Sequence, residues 1–235
     1  MARTLPPTPR LLMPIAALFT GALIVSNIIA VKIASFSAVS GPVDDYFLPA
    51  AVVVFPVSYI LGDVLTEVYG YAAARRVIWS AFFANALAVV AIVAAQELPP
   101  APFWEGNQAA YETILGQTWR IVGASFAAFV VGEFANSMVL SRMKVATRGR
   151  FLWARTIGST LVGQGLDSAI FITIAFAGQE GVTLWPLIWK QWLFKVGFEA
   201  AATPITYAAV AALKRYEGID VYDRGVALNP VAVWE

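Results

Sequence analysis

Residues 151–177, FLWARTIGSTLVGQGLDSAIFITIAFA, decide the fold. At a rise of about 1.5 Å per residue, roughly 20 apolar residues cross the hydrocarbon core of a bilayer. This stretch is long enough and apolar enough, yet it carries Arg155, Gln164, Asp167 and Ser168. Gln164, Asp167, Ser168 and Phe171 recur at intervals of three and four and so share one helical face. A charge at the bilayer centre costs roughly 2.5–3.5 kcal/mol on insertion scales. It is kept only where it faces a cavity or a partner. The stretch therefore reads as a lipid-spanning helix with a polar stripe turned inward.

The same reading extends in both directions. Apolar runs at 11–33, 47–68, 77–96, 118–141 and 184–213 bring the expected number of spans to six, in a single transmembrane domain covering 1–235 with a cytoplasmic tail at 214–235. Of the 235 residues, 59% are hydrophobic and only 13% charged, against roughly 25% charged in a soluble domain. A water-soluble fold of this size could not bury so much apolar surface. The expected fold class is an all-α integral membrane protein of six transmembrane helices. Two inverted halves of three spans are a further expectation.

Several chemistries are excluded at once. Histidine and cysteine are absent, which removes disulfides, thiol or Ser-His nucleophiles and metal sites built on those ligands. The net charge of +1 gives no electrostatic basis for nucleic-acid binding. No nucleotide-binding loop is present, and no cofactor or catalytic residue is expected.

Charge sets the orientation. One set of span ends carries Arg3, Arg10, Arg75, Arg76, Arg142, Lys144, Arg148, Arg150, Lys214, Arg215 and Arg224. The loops at the other ends carry Asp44, Asp45, Glu97, Glu105, Glu112 and Glu180. Excess Lys and Arg mark the cytoplasmic side, so both termini are expected there.

Polar residues recur inside other spans. Tyr59, Asp63 and Glu67 share a face at spacings of four, and so do Glu133, Asn136 and Ser137. Lys195 and Glu199 form an i, i+4 pair able to neutralise each other, and Asn27 lies in the first span. Helix rise places Glu133, Gln164 and Lys195 near the midplane. Pro56 and Pro204 are expected to break the second and sixth spans, and Gly123, Gly132, Gly158, Gly163 and Gly165 to allow close helix contact. Carboxylates, amides and aromatic rings around a midplane hollow suit a flat ligand rich in hydrogen-bond donors, such as a guanine-like base. A vitamin, an amine or an amino acid fits the same chemistry. A buried Glu133 or Asp167 is also suited to coupling protons.

The run from Phe55 to Gly70, FPVSYILGDVLTEVYG, followed by Ala74-Arg75-Arg76 and Trp79, resembles the queuosine precursor transporter family, earlier described as vitamin uptake transporters. Asn27 to Lys32 is similar too, as are Arg155, Ser159 and Gly163 to Ser168, and Lys195 with Glu199 and Pro204. Pro49-Ala50-Ala51 departs from the expected Pro-Ala-Gly.

The resemblance implies import of deazaguanine bases across the bacterial inner membrane. With it, the candidate substrate-binding residues are Asn27, Glu133, Asn136, Gln164, Asp167, Ser168, Lys195 and Glu199, with Asp63, Glu67 and Arg155 for gating or coupling. The expected partners are the small deazapurine and the lipid bilayer, without nucleic acid; a homodimer is left open. Two other readings stand beside this one. A substrate-binding subunit of an energy-coupling-factor transporter would need partner proteins. An intramembrane aspartyl enzyme is disfavoured, because Asp63 and Asp167 fall at different depths with no catalytic motif around them.

Overall fold

The computed structural model describes residues 9–35, 47–116, 119–178 and 183–232. Arg3, Asp44, Asp45 and Glu180 of the charge pattern lie outside the described residues. Seven α-helices are described: α1 (Leu12–Ile29), α2 (Phe55–Val64), α3 (Tyr71–Gln96), α4 (Glu105–Leu115), α5 (Trp119–Ala146), α6 (Leu152–Phe176) and α7 (Leu184–Glu217). Five of them, all but α2 and α4, are long and apolar enough to cross a membrane. A short antiparallel ladder follows α1 and precedes α2, with β1 (Ile33–Ser35) paired to β2 (Phe47–Pro49). That ladder is the one departure from an all-helical chain among the described residues.

The segment expected as the second span differs from the continuous 47–68 helix that hydropathy suggests. It is built in pieces: β2, a 3-10 turn at Ala50–Val53, α2, then a π turn at Leu65–Tyr69. Prolines explain the upper break. Pro49 and Pro56 donate no backbone hydrogen bond, so neither sits inside a continuous ladder. Pro56 instead lies in the first turn of α2, where its missing N–H costs nothing. The π turn ends at Gly70, whose φ of +83° is natural only for glycine.

Pro204 behaves otherwise. It lies inside α7, which runs unbroken from Leu184 to Glu217. Thr203 and Thr206 donate their hydroxyls to the carbonyls of Glu199 and Ala202 around it. Such side-chain bonds help a membrane helix tolerate proline.

The helices pack as two groups. Helix α1 contacts α2 and α3, and α6 lies between α5 and α7, with the α5–α6 contact the most extensive. Contacts of α2 with α7 and of α3 with α5 join the groups. An apolar core around Phe19, Leu23, Val64, Val68, Val77 and Val210 seats α1 against α2, α3 and the end of α7. The tail expected at 214–235 is not a free polar segment. Helix α7 continues to Glu217, and the chain then folds back along the bundle: Val221 N–H donates to Val68 O at 3.1 Å, Arg75 to Asn229 O at 2.7 Å and the Trp79 indole to Pro230 O at 2.8 Å.

Candidate substrate site

Close backbone approach builds the site. A Cβ on Gly132 of α5 would lie 2.7 Å from Asp167 Cβ, and one on Gly163 of α6 would lie 2.6 Å from Asn136 Cβ. Only glycine fits at either place, so α5 and α6 cross in near contact. The crossing sets Glu133 and Asn136 beside Gln164 and Asp167. From α2, Gly62 accepts the carboxylate of Glu133: a Cβ there would be 2.5 Å from Glu133 Oε1. Gly123, expected to act in the same way, has nothing within 4 Å of a would-be Cβ. The helix face it occupies is simply open.

The polar residues meet across helices. Asn136 donates its side-chain amide to Asp63 Oδ1 at 2.8 Å. Lys195 of α7 pairs with Asp167 of α6 rather than with Glu199 on its own helix. The i, i+4 spacing permitted the intrahelical pair, but the neighbouring helix supplies a nearer carboxylate. Glu199 instead lies within hydrogen-bonding reach of Asp63. Tyr59 sits beside Lys195, Asp167 and Glu133.

These contacts leave a surplus of acceptors. Asp63 Oδ2, Glu133 Oε1, Asn136 Oδ1, Gln164 Oε1, Ser168 Oγ and Glu199 Oε1 are buried with no hydrogen-bond partner. Asn136 and Gln164 are each 5% exposed and Glu133 7%. Buried acceptors are normally satisfied, and one left alone costs about 1–3 kcal/mol. These unpartnered acceptors make the crossing of α5 and α6, with α2 and α7 beside it, the candidate site.

Asn27 lies elsewhere. Its amide donates to Asn85 of α3 at 3.0 Å. Both line a cleft between α1, α3, α4 and α5, with Val122, Ser125 and Phe126. None of the carboxylates lines this cleft, and its volume of ≈ 40 Å³ holds waters rather than a base. Asn85 was not singled out in the sequence, although an amide midway along the apolar run 77–96 was a signal.

A second charged cluster closes the Lys/Arg-rich end. Glu67 Oε1 accepts from Arg155 and from Lys214, each at 2.8 Å. Lys144 is 3.7 Å from the same oxygen and bonds the Glu67 carbonyl. Asp220, in the folded-back tail, accepts from Lys144 at 2.6 Å and Lys214 at 2.8 Å. Burial pushes the Asp220 carboxyl up, but the bonds from Lys144 and Lys214 outweigh it and hold the group below its usual range. In the sequence Lys144 and Lys214 are charges at span ends, and nothing there singles out Asp220. Their role needed the tertiary contact to be seen. At the opposite end, Arg120 caps α6 by donating to Ile174 O at 2.5 Å and to Ala177 O.

Polar residues face inward, whereas Leu18, Leu87, Val131, Leu166 and Ile205 are exposed on the outside. That inversion of the soluble pattern, on several membrane-length helices, defines a multi-pass membrane protein with a polar interior. Residues 49–209 match the family described as "Putative vitamin uptake transporter". A "Probable queuosine precursor transporter" of Bacillus subtilis (strain 168) is 31% identical over 159 residues, which is 67% of this chain and 69% of that protein. The chain belongs to this transporter family and is not an enzyme. No solved structure matches it.

Proposed function

We propose that the protein imports queuosine precursors, 7-cyano-7-deazaguanine and/or 7-aminomethyl-7-deazaguanine, across the bacterial inner membrane for salvage into tRNA. The observation that carries this reading is the group of unpartnered acceptors on α5 and α6: Glu133 Oε1, Asn136 Oδ1 and Gln164 Oε1, with the Ser168 hydroxyl. The edge of a guanine-like base offers adjacent N–H donors from its ring nitrogen and exocyclic amine. A carboxylate or amide oxygen takes such donors directly, and a carboxylate does so most strongly. An aminomethyl substituent adds an ammonium group, for which Asp167 is a ready partner if it gives up Lys195. The name of the Bacillus subtilis relative points to the same ligands.

The transport step is alternating access about this site, with six crossings and both termini in the cytoplasm. The interrupted second crossing supplies the discontinuous helix such a site calls for. Glu67, Arg155, Lys144 and Lys214 close the cytoplasmic end and must part for release.

Radiolabelled uptake in cells unable to make the precursors tests the reading. Gln164→Ala with Asp167→Asn removes base-edge and ammonium contacts and lowers uptake at least tenfold, the worth of about 1.4 kcal/mol. Undiminished uptake by that double variant would take α6 out of the site. Purified protein that exchanges substrate in liposomes without any added subunit excludes an energy-coupling-factor component.

A further inference from the structure

Asp63 and Glu199 form an unusual pair. They come from α2 and α7, a contact that joins the two helix groups. Each is 1% exposed. Asp63 Oδ1 is occupied by Asn136, but Asp63 Oδ2 and Glu199 Oε1 have no partner although the two side chains lie within hydrogen-bonding reach.

The surrounding charges make the pair stranger still. Tyr59 and Glu67 flank Asp63 on its own segment, and Glu133 approaches from α5. The nearest cation along α7 is Lys195, which is committed to Asp167 of α6. Glu67 is committed to Arg155 and Lys214. Among the described residues no ion pair includes Asp63, Glu133 or Glu199.

Two carboxylates face to face have acceptors only. They hydrogen-bond each other only when one carries a proton. A metal cation would need more oxygens, and among the described residues no three acidic groups converge to hold one.

We infer that Asp63 and Glu199 bind one exchangeable proton between them, and that this proton is carried inward with the substrate. The coupling half of this inference rests on the import reading above. Asn136 is the joint between the two sites. Its amide nitrogen holds Asp63, and its oxygen belongs to the open acceptor group offered to the base. A base that engages Asn136 acts directly on the partner of Asp63. Asp63 lies just before the π turn, and Glu199 lies on the same helix as Pro204. Movement of α2 from α7 parts the carboxyls and frees the proton. One O–H bond forms when the carboxyl takes up the proton and breaks when the proton passes to water; no other bond changes. The proton enters from the outer water and leaves to the cytoplasm.

Two measurements on purified wild type and the Asp63→Asn, Glu199→Gln double variant decide the matter. Infrared spectroscopy of the protein alone reports a protonated carboxyl by its carbonyl stretch. The wild type is expected to show a pH-dependent carboxylic-acid band that the double variant lacks. The same band in both proteins, or in neither, overturns the proton site whatever the substrate.

The second measurement uses proteoliposomes and 7-cyano-7-deazaguanine. An acid-outside gradient of about one pH unit can concentrate a neutral solute up to about tenfold at one proton per molecule. Wild type is expected to concentrate it. The double variant is expected to lose the effect of the gradient: whatever exchange it retains is the same with and without it, and it does not concentrate the solute. Wild-type exchange that ignores the gradient, or a variant that still concentrates substrate, overturns the coupling. Absence of wild-type exchange withdraws the substrate reading and with it the symport, while the infrared result still decides the proton site.

Discussion

Gly62 and Gly123 are both glycines in the membrane, and their neighbours separate them. A methyl at Gly62 meets the carboxylate of Glu133 at 2.5 Å, whereas one at Gly123 meets nothing within 4 Å. Gly62→Ala is expected to displace Glu133, to cost about 1–3 kcal/mol from overpacking, and to depress uptake. Gly123→Ala is expected to match wild type in both thermal unfolding in detergent and uptake. Equal behaviour of the two variants would contradict the packing. Glu67 makes the strongest residue-level case for stability. It is 1% exposed and faces Arg155, Lys144 and Lys214. Removing one member of a buried charge cluster leaves the others uncompensated, at about 3–5 kcal/mol. Glu67→Gln should therefore melt well below wild type in detergent, and an unchanged midpoint would show the cluster to be solvated. That Glu133, Gln164 and Asp167 are inward-facing was legible from spacing alone. That Lys195 reaches Asp167, and that Asn136 reaches Asp63, was not, because such pairings depend on helix rotations that no single helix encodes.

Among elements, the crossing of α5 and α6 and the folded-back tail make separate demands. Gly163→Leu is expected to drive α6 away from the Asn136 backbone and abolish uptake, although the proposed acceptors Glu133, Asn136, Gln164 and Ser168 all remain. Cross-linking between cysteines placed on the two helices checks the separation. The tail responds to pH through Asp220. Its carboxyl is held below its unfolded value, so the contact with Lys144 and Lys214 is at full strength above the unfolded pKa and is lost as pH falls through the folded one. Acidification below the ordinary carboxylate range should release the segment after Gly218, read as a distance increase between spin labels on the tail and α5. Asp220→Asn should show the released distance at neutral pH. Helices α3, α5, α6 and α7 were legible from hydropathy to within a turn or two at most ends. The pieces of the 47–69 segment were not, since a window average cannot see that Pro49 and Pro56 interrupt the ladder or that a π turn precedes Gly70.

At the scale of the whole molecule, the Lys/Arg-rich span ends gather at one end of the bundle, knit by Glu67 and Asp220. The positive-inside rule predicts that this end is cytoplasmic. The chain has no cysteine, so single cysteines report sidedness without background. Arg150→Cys should be labelled by a membrane-impermeant maleimide only in inverted vesicles, and Gln108→Cys, on α4, only in intact cells. The opposite pattern would reverse the orientation. The membrane class was legible from composition and charge placement. The division of the polar interior into an acceptor surface, a carboxyl pair and a cytoplasmic charge cluster emerged only once the helices were assembled.

The returning C-terminal segment also has a practical consequence. Asp223 accepts from the Tyr71 backbone N–H at 2.9 Å and from Ser141 at 2.7 Å, which ties the start of α3 to α5. An investigator trimming this protein for expression would be tempted to stop at Gly218. That cut deletes the anchor of α3 and strips Lys144 of two of its acceptors, Asp220 and Val221 O. An affinity handle belongs beyond residue 232, on a spacer long enough to leave the stitching intact.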